Sequence, residues 1–344
     1  MRADADPSVR AAAVPGARAR WPGEAGPVTT IAVFGSWASM PSADTLRAAL
    51  PDDRIVAVQG EELGGAAEAD AAFGGFSPER LRGVLAGSPK LRWVHTFSAG
   101  VDRHVPELAK YQNVLLTNNS GAYDAPIAEH VIAMIFAAAK RVPEHLAAQG
   151  RHEWQREVPH AEVRDTTLVV LGMGSIGGEL ARLAAGVGMR VIAVRRDATR
   201  PAQGVDRVVP PERFAEVARE ADYLAVTAAL TPQTRGMVSA DILRVLKPTA
   251  WVINIARGPI VDEAALIAAL REKRIGGAAL DVFETEPLPA DSPLWAFENA
   301  ILTPHISNSS PRVRERSLTL VTENVRRFKA GEPLLNVVDR SIGY

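Results

Sequence analysis

The chain has 344 residues, 39 basic and 40 acidic side chains, a formal net charge of −1 and no cysteine. That length suffices for two domains, each with its own core, and the balanced charge offers no field to gather nucleic acid or an anionic membrane. The missing thiols exclude disulfides, thiolate nucleophiles and cysteine-based metal sites, and no apolar run reaches the ~18 residues of a membrane span. Residues 1–27 are rich in Ala, Arg and Pro and lack the apolar core of a signal peptide. They are expected to form a mobile tail on a cytoplasmic protein.

Residues 30–34 (TIAVF) read as a strand, followed by a helix over 42–50. Further short strands are expected at 55–58, 69–74, 91–97 and 114–117, with a helix at 78–85. Strands alternating with helices predict a parallel sheet covered by helices. The turn cluster Asn118-Asn119-Ser120-Gly121 marks a hinge. Pro126 stands near the start of a long helix, 127–140, where a missing N–H costs little. Ile127, Val131, Ile132, Met134, Ile135 and Phe136 wrap nearly all round that helix, which predicts burial, in part against a second subunit. The stretch 151–164 is polar and irregular, with Trp154 as its anchor.

Residues 167–196, TLVVLGMGSIGGELARLAAGVGMRVIAVRR, form a strand–helix–strand unit. The run 168–171 suits a strand buried on both faces, 176–186 is helical, and 190–194 is a second strand. Gly172, Gly174 and Gly177 sit between strand and helix in G-x-G-x-x-G spacing, with Ser175 and Ile176 completing the loop. The first glycine permits the turn, the second lets backbone approach a pyrophosphate, and the third lets helix and strand pack closely. The helix N-terminus adds N–H groups and a positive dipole end for phosphates, so the unit predicts dinucleotide binding. An NAD site carries an acid at the end of the second strand. Here Arg195 and Arg196 stand there, two guanidiniums able to grip a 2′-phosphate, with Asp197 next to them. The expected cofactor is therefore NADP(H), with NAD(H) possible. Strands follow at 206–209, 223–228, 250–255, 278–282 and 300–303, with helices at 212–218, 239–246, 263–272 and 317–329. The fold class is α/β, with two doubly wound parallel sheets, one complete within 165–304 and one that the chain begins and leaves.

Four polar stretches end apolar strands, on the edge where open sheets bind ligands. Asn254-Ile255-Ala256-Arg257-Gly258 offers an arginine suited to a planar carboxylate, or to a structural salt bridge. Residues 281–287 (DVFETEP) crowd three acids, as a catalytic or merely solvated loop. Thr303-Pro304-His305 ends the last strand on a histidine, the side chain that trades protons near neutral pH. Residues 98–102 (SAGVD) form a small-residue turn whose bare N–H groups could receive an anion.

Together these motifs resemble the D-isomer-specific 2-hydroxyacid dehydrogenase family: GMGSIG at 172–177, NIARGPIVDE at 254–263, LDVFETEPLP at 280–289 and TPHIS at 303–307. PIAEHVIAMI at 126–135 and LTPQTRGMV at 230–238 also look like family segments. The resemblance implies that Arg257 binds the substrate carboxylate, that His305 is the general acid, and that Glu286 hydrogen-bonds that histidine. It implies further that the N–H groups of Ala99 and Gly100 hold the carboxylate from the other domain. Ala256 and Asp281 become cofactor contacts, Asp281 near the nicotinamide carboxamide. The family's fold comprises Rossmann-like and flavodoxin-like domains with the active site in the cleft between them. Residues 28–120 with 306–335 would bind substrate, and 121–305 the dinucleotide. A homodimer through the coenzyme domain is implied too. The arginines at 195 and 196 resemble the NADPH-preferring glyoxylate and hydroxypyruvate reductase branch, so a small 2-oxo acid is the expected substrate. A bulkier 2-oxo acid, or a non-catalytic dinucleotide-sensing corepressor, remain the alternatives.

Overall fold

The computed structural model describes residues 29–35, 40–60 and 64–344, so the expected tail at 1–27 lies outside the described residues. The chain divides into two units, one running to Tyr123 and resuming at Ser309, the other spanning Asp124–Asn308.

The first unit contains β1 (Thr30–Phe34), α1 (Ala43–Ala49), β2 (Arg54–Val58), β3 (Ala71–Gly74), α2 (Pro78–Gly87), β4 (Trp93–Thr96) and β5 (Leu115–Thr117). Its strands pair in parallel in the order β2-β1-β3-β4-β5. Ser42 and Ser77 start the two helices, each side-chain oxygen accepting an N–H of the first turn, from Thr45 and Arg80. A buried polar line crosses β4 and β5. Trp93 Nε1 donates to Thr117 Oγ1 at 2.8 Å, and His95 Nδ1 lies 2.8 Å from the same oxygen. Burial pushes His95 down to about 3, only partly opposed by Asn119, so the ring is neutral in the folded protein.

The second unit opens with α3 (Asp124–Ala139) and α4 (Val142–Gly150). It continues through β6 (Thr167–Leu171), α5 (Ser175–Gly186), β7 (Arg190–Val194), β8 (Arg207–Val209), α6 (Phe214–Ala218), β9 (Tyr223–Val226), α7 (Ala240–Val245), β10 (Trp251–Asn254), α8 (Glu263–Arg271), β11 (Gly277–Leu280) and β12 (Ala300–Leu302). Its seven strands are all parallel, in the order β12-β11-β10-β9-β6-β7-β8. The chain thus walks outward from β6 to β8, then reverses and builds β9 to β12 on the other side. That reversal between β6 and β9 is the switch point where doubly wound sheets bind ligands. Helix α9 (Val313–Lys329) belongs to the first unit, and Arg340 holds the chain end there by donating to the carbonyls of Leu108, Tyr111 and Val114.

Two expectations are corrected. Trp154 does not anchor the 151–164 stretch: it is 90% exposed. The stretch is fastened by backbone instead, through Ala161 N to Ala139 O, Lys140 Nζ to Ala161 O, and buried Val163. Helix α3 is also not covered all round. It lies on α5 with Ile127, Val131, Ile135 and Ala138 buried, while Phe136 is 37% exposed and Ile132 and Met134 are only partly covered. Helix α5 supplies most of that cover, α4 and β10 add smaller contacts, and together they leave Phe136 exposed. Helix α4 was not expected; Pro143 at its start supplies the preset φ that its short apolar pattern does not advertise. Among the described residues no helix is long and apolar enough to cross a membrane, and no cluster of three or more His, Asp or Glu could hold a metal ion.

His95 sets a test of acid stability. Unfolding restores its ordinary value near 6.5, so below that pH the unfolded chain takes up a proton that the folded one refuses. The folded state should lose on the order of 3 kcal/mol between pH 6.5 and pH 4 through this group, at 1.36 kcal/mol per pH unit. In urea titrations across that range, His95→Gln should be less stable at pH 8 yet show a flatter fall with acid.

Candidate active site

The turn after β6 is built for close backbone approach. Gly172 has φ +100, and a Cβ there would fall 2.5 Å from the backbone of Ala228, so only glycine fits. Gly177 presses the first turn of α5 onto the same loop, where a Cβ would meet Gly172 O at 2.4 Å. Thr227, just beyond β9, pins the turn from the opposite side of the switch point by donating to Gly172 O at 2.7 Å. Gly174 is the extended residue before α5, with open space where a side chain would be. Helix geometry leaves the first-turn N–H groups of α5, Ile176 and Gly177 among them, without an acceptor within the helix, and the turn carries no acid. The site therefore fits the pyrophosphate of a dinucleotide.

Beyond β7, the Arg195 side chain is folded over the next loop, Nε donating to Asp197 O at 2.7 Å and a terminal nitrogen to Arg200 O. Asp197 is turned away from the strand end, accepting from Thr199 Oγ1 at 2.6 Å and Thr199 N at 3.2 Å. Arg196 is exposed.

Three neighbouring strands carry the remaining polar residues on the same edge. After β10, buried Asn254 ties its own loop, accepting from Ala256 N and donating to Arg257 O. Arg257 is part-buried, one terminal nitrogen donating to Ala256 O at 2.8 Å. Gly258 then touches the loop after β11: a Cβ would lie 1.9 Å from the carbonyl carbon of Phe283. That contact brings the Arg257 loop against the Glu286 loop. Glu286 Oε1 accepts from Phe283 N at 3.0 Å, while Oε2 faces His305 Nδ1 at 2.8 Å. The carboxylate is thus oriented by backbone and in turn orients the imidazole, leaving Nε2 for a substrate. His305 has φ +53, and its side chain is 40% exposed, open to proton exchange.

Asp281, expected beside a nicotinamide, engages both oxygens with its own chain. Oδ1 accepts from Thr303 Oγ1 at 2.6 Å and Ile306 N at 2.9 Å, and Oδ2 from Ser307 N at 2.9 Å. His130 on α3 completes this set, its Nε2 lying 3.3 Å from Thr303 Oγ1. Because that hydroxyl gives its only proton to Asp281, Nε2 is the donor. Burial holds His130 below its ordinary range, against the pull of Asp281, which keeps the ring neutral. Sequence reading missed Thr227 and His130, since each acts through a partner more than fifty residues away in the chain.

In the first unit, Ala99 and Gly100 lie in the turn after β4. Asn118 Nδ2 donates to Ala99 O at 2.7 Å, Asn119 N to Ser98 O at 3.0 Å, and the Tyr123 hydroxyl to Phe97 O. Among the described residues the N–H groups of Ala99 and Gly100 have no acceptor.

Comparison with known proteins decides the family. The description "D-isomer specific 2-hydroxyacid dehydrogenase, NAD binding domain" matches residues 132–307. A glyoxylate reductase of Korarchaeum cryptofilum is 36% identical over 267 residues, 75% of this chain and 79% of that protein. The chain belongs to the D-isomer-specific 2-hydroxyacid dehydrogenase family. It is an oxidoreductase of the nicotinamide-dinucleotide class. A Xanthobacter autotrophicus Py2 family member, solved with NADPH and MES, superposes with TM-score 0.81 at 34% identity, covering 92% of this chain and all of that one. An NADPH-dependent glyoxylate/hydroxypyruvate reductase of Sinorhizobium meliloti, solved with NADP and sulfate, gives 0.80 at 28% identity with the same coverage.

The Gly258 contact is testable. In this dehydrogenase Gly258→Ala forces the Arg257 and Glu286 loops apart and should cost about 1–3 kcal/mol by overpacking. Calorimetry should show the melting temperature falling by roughly 2–4 °C per kcal/mol.

Proposed function

We propose that this protein reduces a small 2-oxo acid, with glyoxylate and hydroxypyruvate as the first candidates, to the D-2-hydroxy acid, using NADPH in preference to NADH. The observation that carries this reading is the 2.8 Å pair of Glu286 Oε2 and His305 Nδ1, at the strand edge that also bears Arg257. Arg257 grips the substrate carboxylate with its planar fork, and the bare N–H groups of Ala99 and Gly100 are likewise suited to a carboxylate. His305 holds its Nδ1 proton toward Glu286 and delivers the Nε2 proton to the carbonyl oxygen. Glu286 holds the ring in place through that Nδ1 contact, so that Nε2 faces the carbonyl oxygen. The bound cofactor supplies the hydride that the carbonyl carbon needs. The glycine turn and the N-terminus of α5, with Gly172, Gly174, Ser175, Ile176 and Gly177, hold its phosphates, while Ala256 and Asp281 lie toward its nicotinamide. Relatives named glyoxylate reductase, and a structural neighbour named for NADPH-dependent glyoxylate/hydroxypyruvate reduction, support the substrate and cofactor classes. The absence of an acid at 195 and 196 supports a 2′-phosphate, with both guanidiniums available to meet it after a rotamer change.

We infer as well that the active form is a homodimer. Phe136, Val142, Leu146 and Trp154 leave large apolar side chains 37%, 40%, 60% and 90% exposed along one stretch of the second unit. Such a patch on a soluble chain favours a partner surface.

Oxidation of NADPH and NADH, followed in parallel against 2-oxo acids from glyoxylate to phenylpyruvate, tests the activity. Fast NADPH-linked turnover of the small acids is expected; tight NADPH binding without turnover on any acid would overturn it. His305→Ala should lower kcat by about 10²–10⁴-fold with little change in KM. Arg195→Asp should raise the KM for NADPH far more than that for NADH, and equal changes would refute the arginine assignment. Light scattering at micromolar concentration should give twice the 36.8 kDa chain mass, with Leu146→Asp shifting it toward the monomer.

A further inference from the structure

The turn after β4 is held by its carbonyl oxygens, three in succession. Phe97 O accepts from the Tyr123 hydroxyl, Ser98 O from Asn119 N at 3.0 Å, and Ala99 O from Asn118 Nδ2 at 2.7 Å. All three donors come from one segment, 118–123, whose last residue is the final one before the chain crosses into the second unit. A trans peptide is planar, with its C=O and the following N–H pointing in opposite directions. Fastening Ser98 O therefore fixes the direction of the Ala99 N–H, and fastening Ala99 O fixes that of the Gly100 N–H. Neither N–H has an acceptor among the described residues, whereas Ser98 N donates to Thr96 Oγ1 at 3.3 Å.

We infer that Asn118, Asn119 and Tyr123 are positioning residues which, by fastening these carbonyls, aim the Ala99 and Gly100 N–H groups at the substrate carboxylate. The inference rests on the proposed reading of this turn as a carboxylate-binding clamp. Each donor is itself oriented. The Asn118 amide is set by its Oδ1, which accepts from Ser120 N at 3.2 Å, so that Nδ2 must face Ala99 O. The Asn119 side chain reaches the returning helix α9, donating to Ser317 Oγ at 2.8 Å. Tyr123 is almost wholly buried, and burial raises its hydroxyl to about 12, so it remains a donor throughout the working range. A clamp aimed this way needs no side-chain cation in the first unit: two preset N–H dipoles bind the carboxylate equally in ground and transition states. Its loss should therefore appear in KM rather than kcat.

Two uncharged deletions test this, Asn118→Ala and Tyr123→Phe. Each should raise the KM for glyoxylate on the order of tenfold, with kcat within about twofold and the KM for NADPH unchanged. An unaltered KM for glyoxylate, or a parallel fall in kcat and in NADPH affinity, would overturn the positioning role. A second measurement does not require turnover. Oxamate, a stable 2-oxo acid mimic, is titrated into the isotopically labelled protein while the Ala99 and Gly100 amide resonances are followed. Both should shift in the wild type and respond only at about tenfold higher oxamate in Asn118→Ala. No shift in the wild type would overturn the clamp itself, and with it the reading on which the inference rests. Equal shifts in both proteins would leave the clamp intact and overturn the positioning role alone.

Discussion

The buried carboxylate of Asp281 holds the loop that carries His305 together. It is 1% exposed and accepts three hydrogen bonds from the chain between Thr303 and Ser307. His305 lies inside that stretch with a left-handed backbone, which costs a non-glycine residue about 1–2 kcal/mol. Hydrogen bonds to a charged acceptor contribute about 1.5–3 kcal/mol each, so three of them outweigh the strain. The result is a rigid loop that turns the imidazole toward Glu286, and α3 reinforces it through His130 and Thr303.

The same economy of position recurs along the sheet edge. Parallel pairing of β10, β11 and β12 puts the ends of three successive strands side by side, so residues remote in sequence become neighbours without long loops. Gly258 closes the gap between two of these loops by removing a side chain, as Gly172 does at the switch point. In the first unit the turn at 97–100 follows the same logic, with three backbone carbonyls tied down and the N–H groups of Ala99 and Gly100 left without an acceptor among the described residues. Oriented dipoles held by a fixed scaffold bind charge without reorganising, the property that anion recognition and carbonyl reduction both require.

Much of this was legible in one dimension. Buried parallel strands are apolar on both faces, so TLVVL at β6 and WVIN at β10 announce themselves, and the G-x-G-x-x-G spacing marks the turn between β6 and α5. Arg257, Glu286 and His305 stood out as polar residues ending apolar strands, and the structure brings Glu286 and His305 into contact. Illegible were the features decided by distant partners. Trp154 looked like an anchor because it is the one large aromatic in a polar stretch, yet burial depends on what lies opposite, and nothing described does. Helix α3 looked apolar all round, but α5, α4 and β10 together leave Phe136 exposed and Ile132 and Met134 only partly covered. Asn118, Asn119 and Tyr123 looked like an ordinary hinge because their partners lie some twenty residues upstream and on α9.

The order of strands and helices, the glycine turn, the arginines in place of a ribose-binding acid and the polar residues at strand ends were determined by the sequence itself, because periodicity and backbone permissiveness are local properties. Only the tertiary structure decided that Asp281 serves its own loop, that Gly258 presses one site loop against another, and that three carbonyls of the 97–100 turn are tied down. Those outcomes depend on which hydrogen-bond partner lies nearest in space, and a polar side chain carries no local mark of the partner that folding will bring to it.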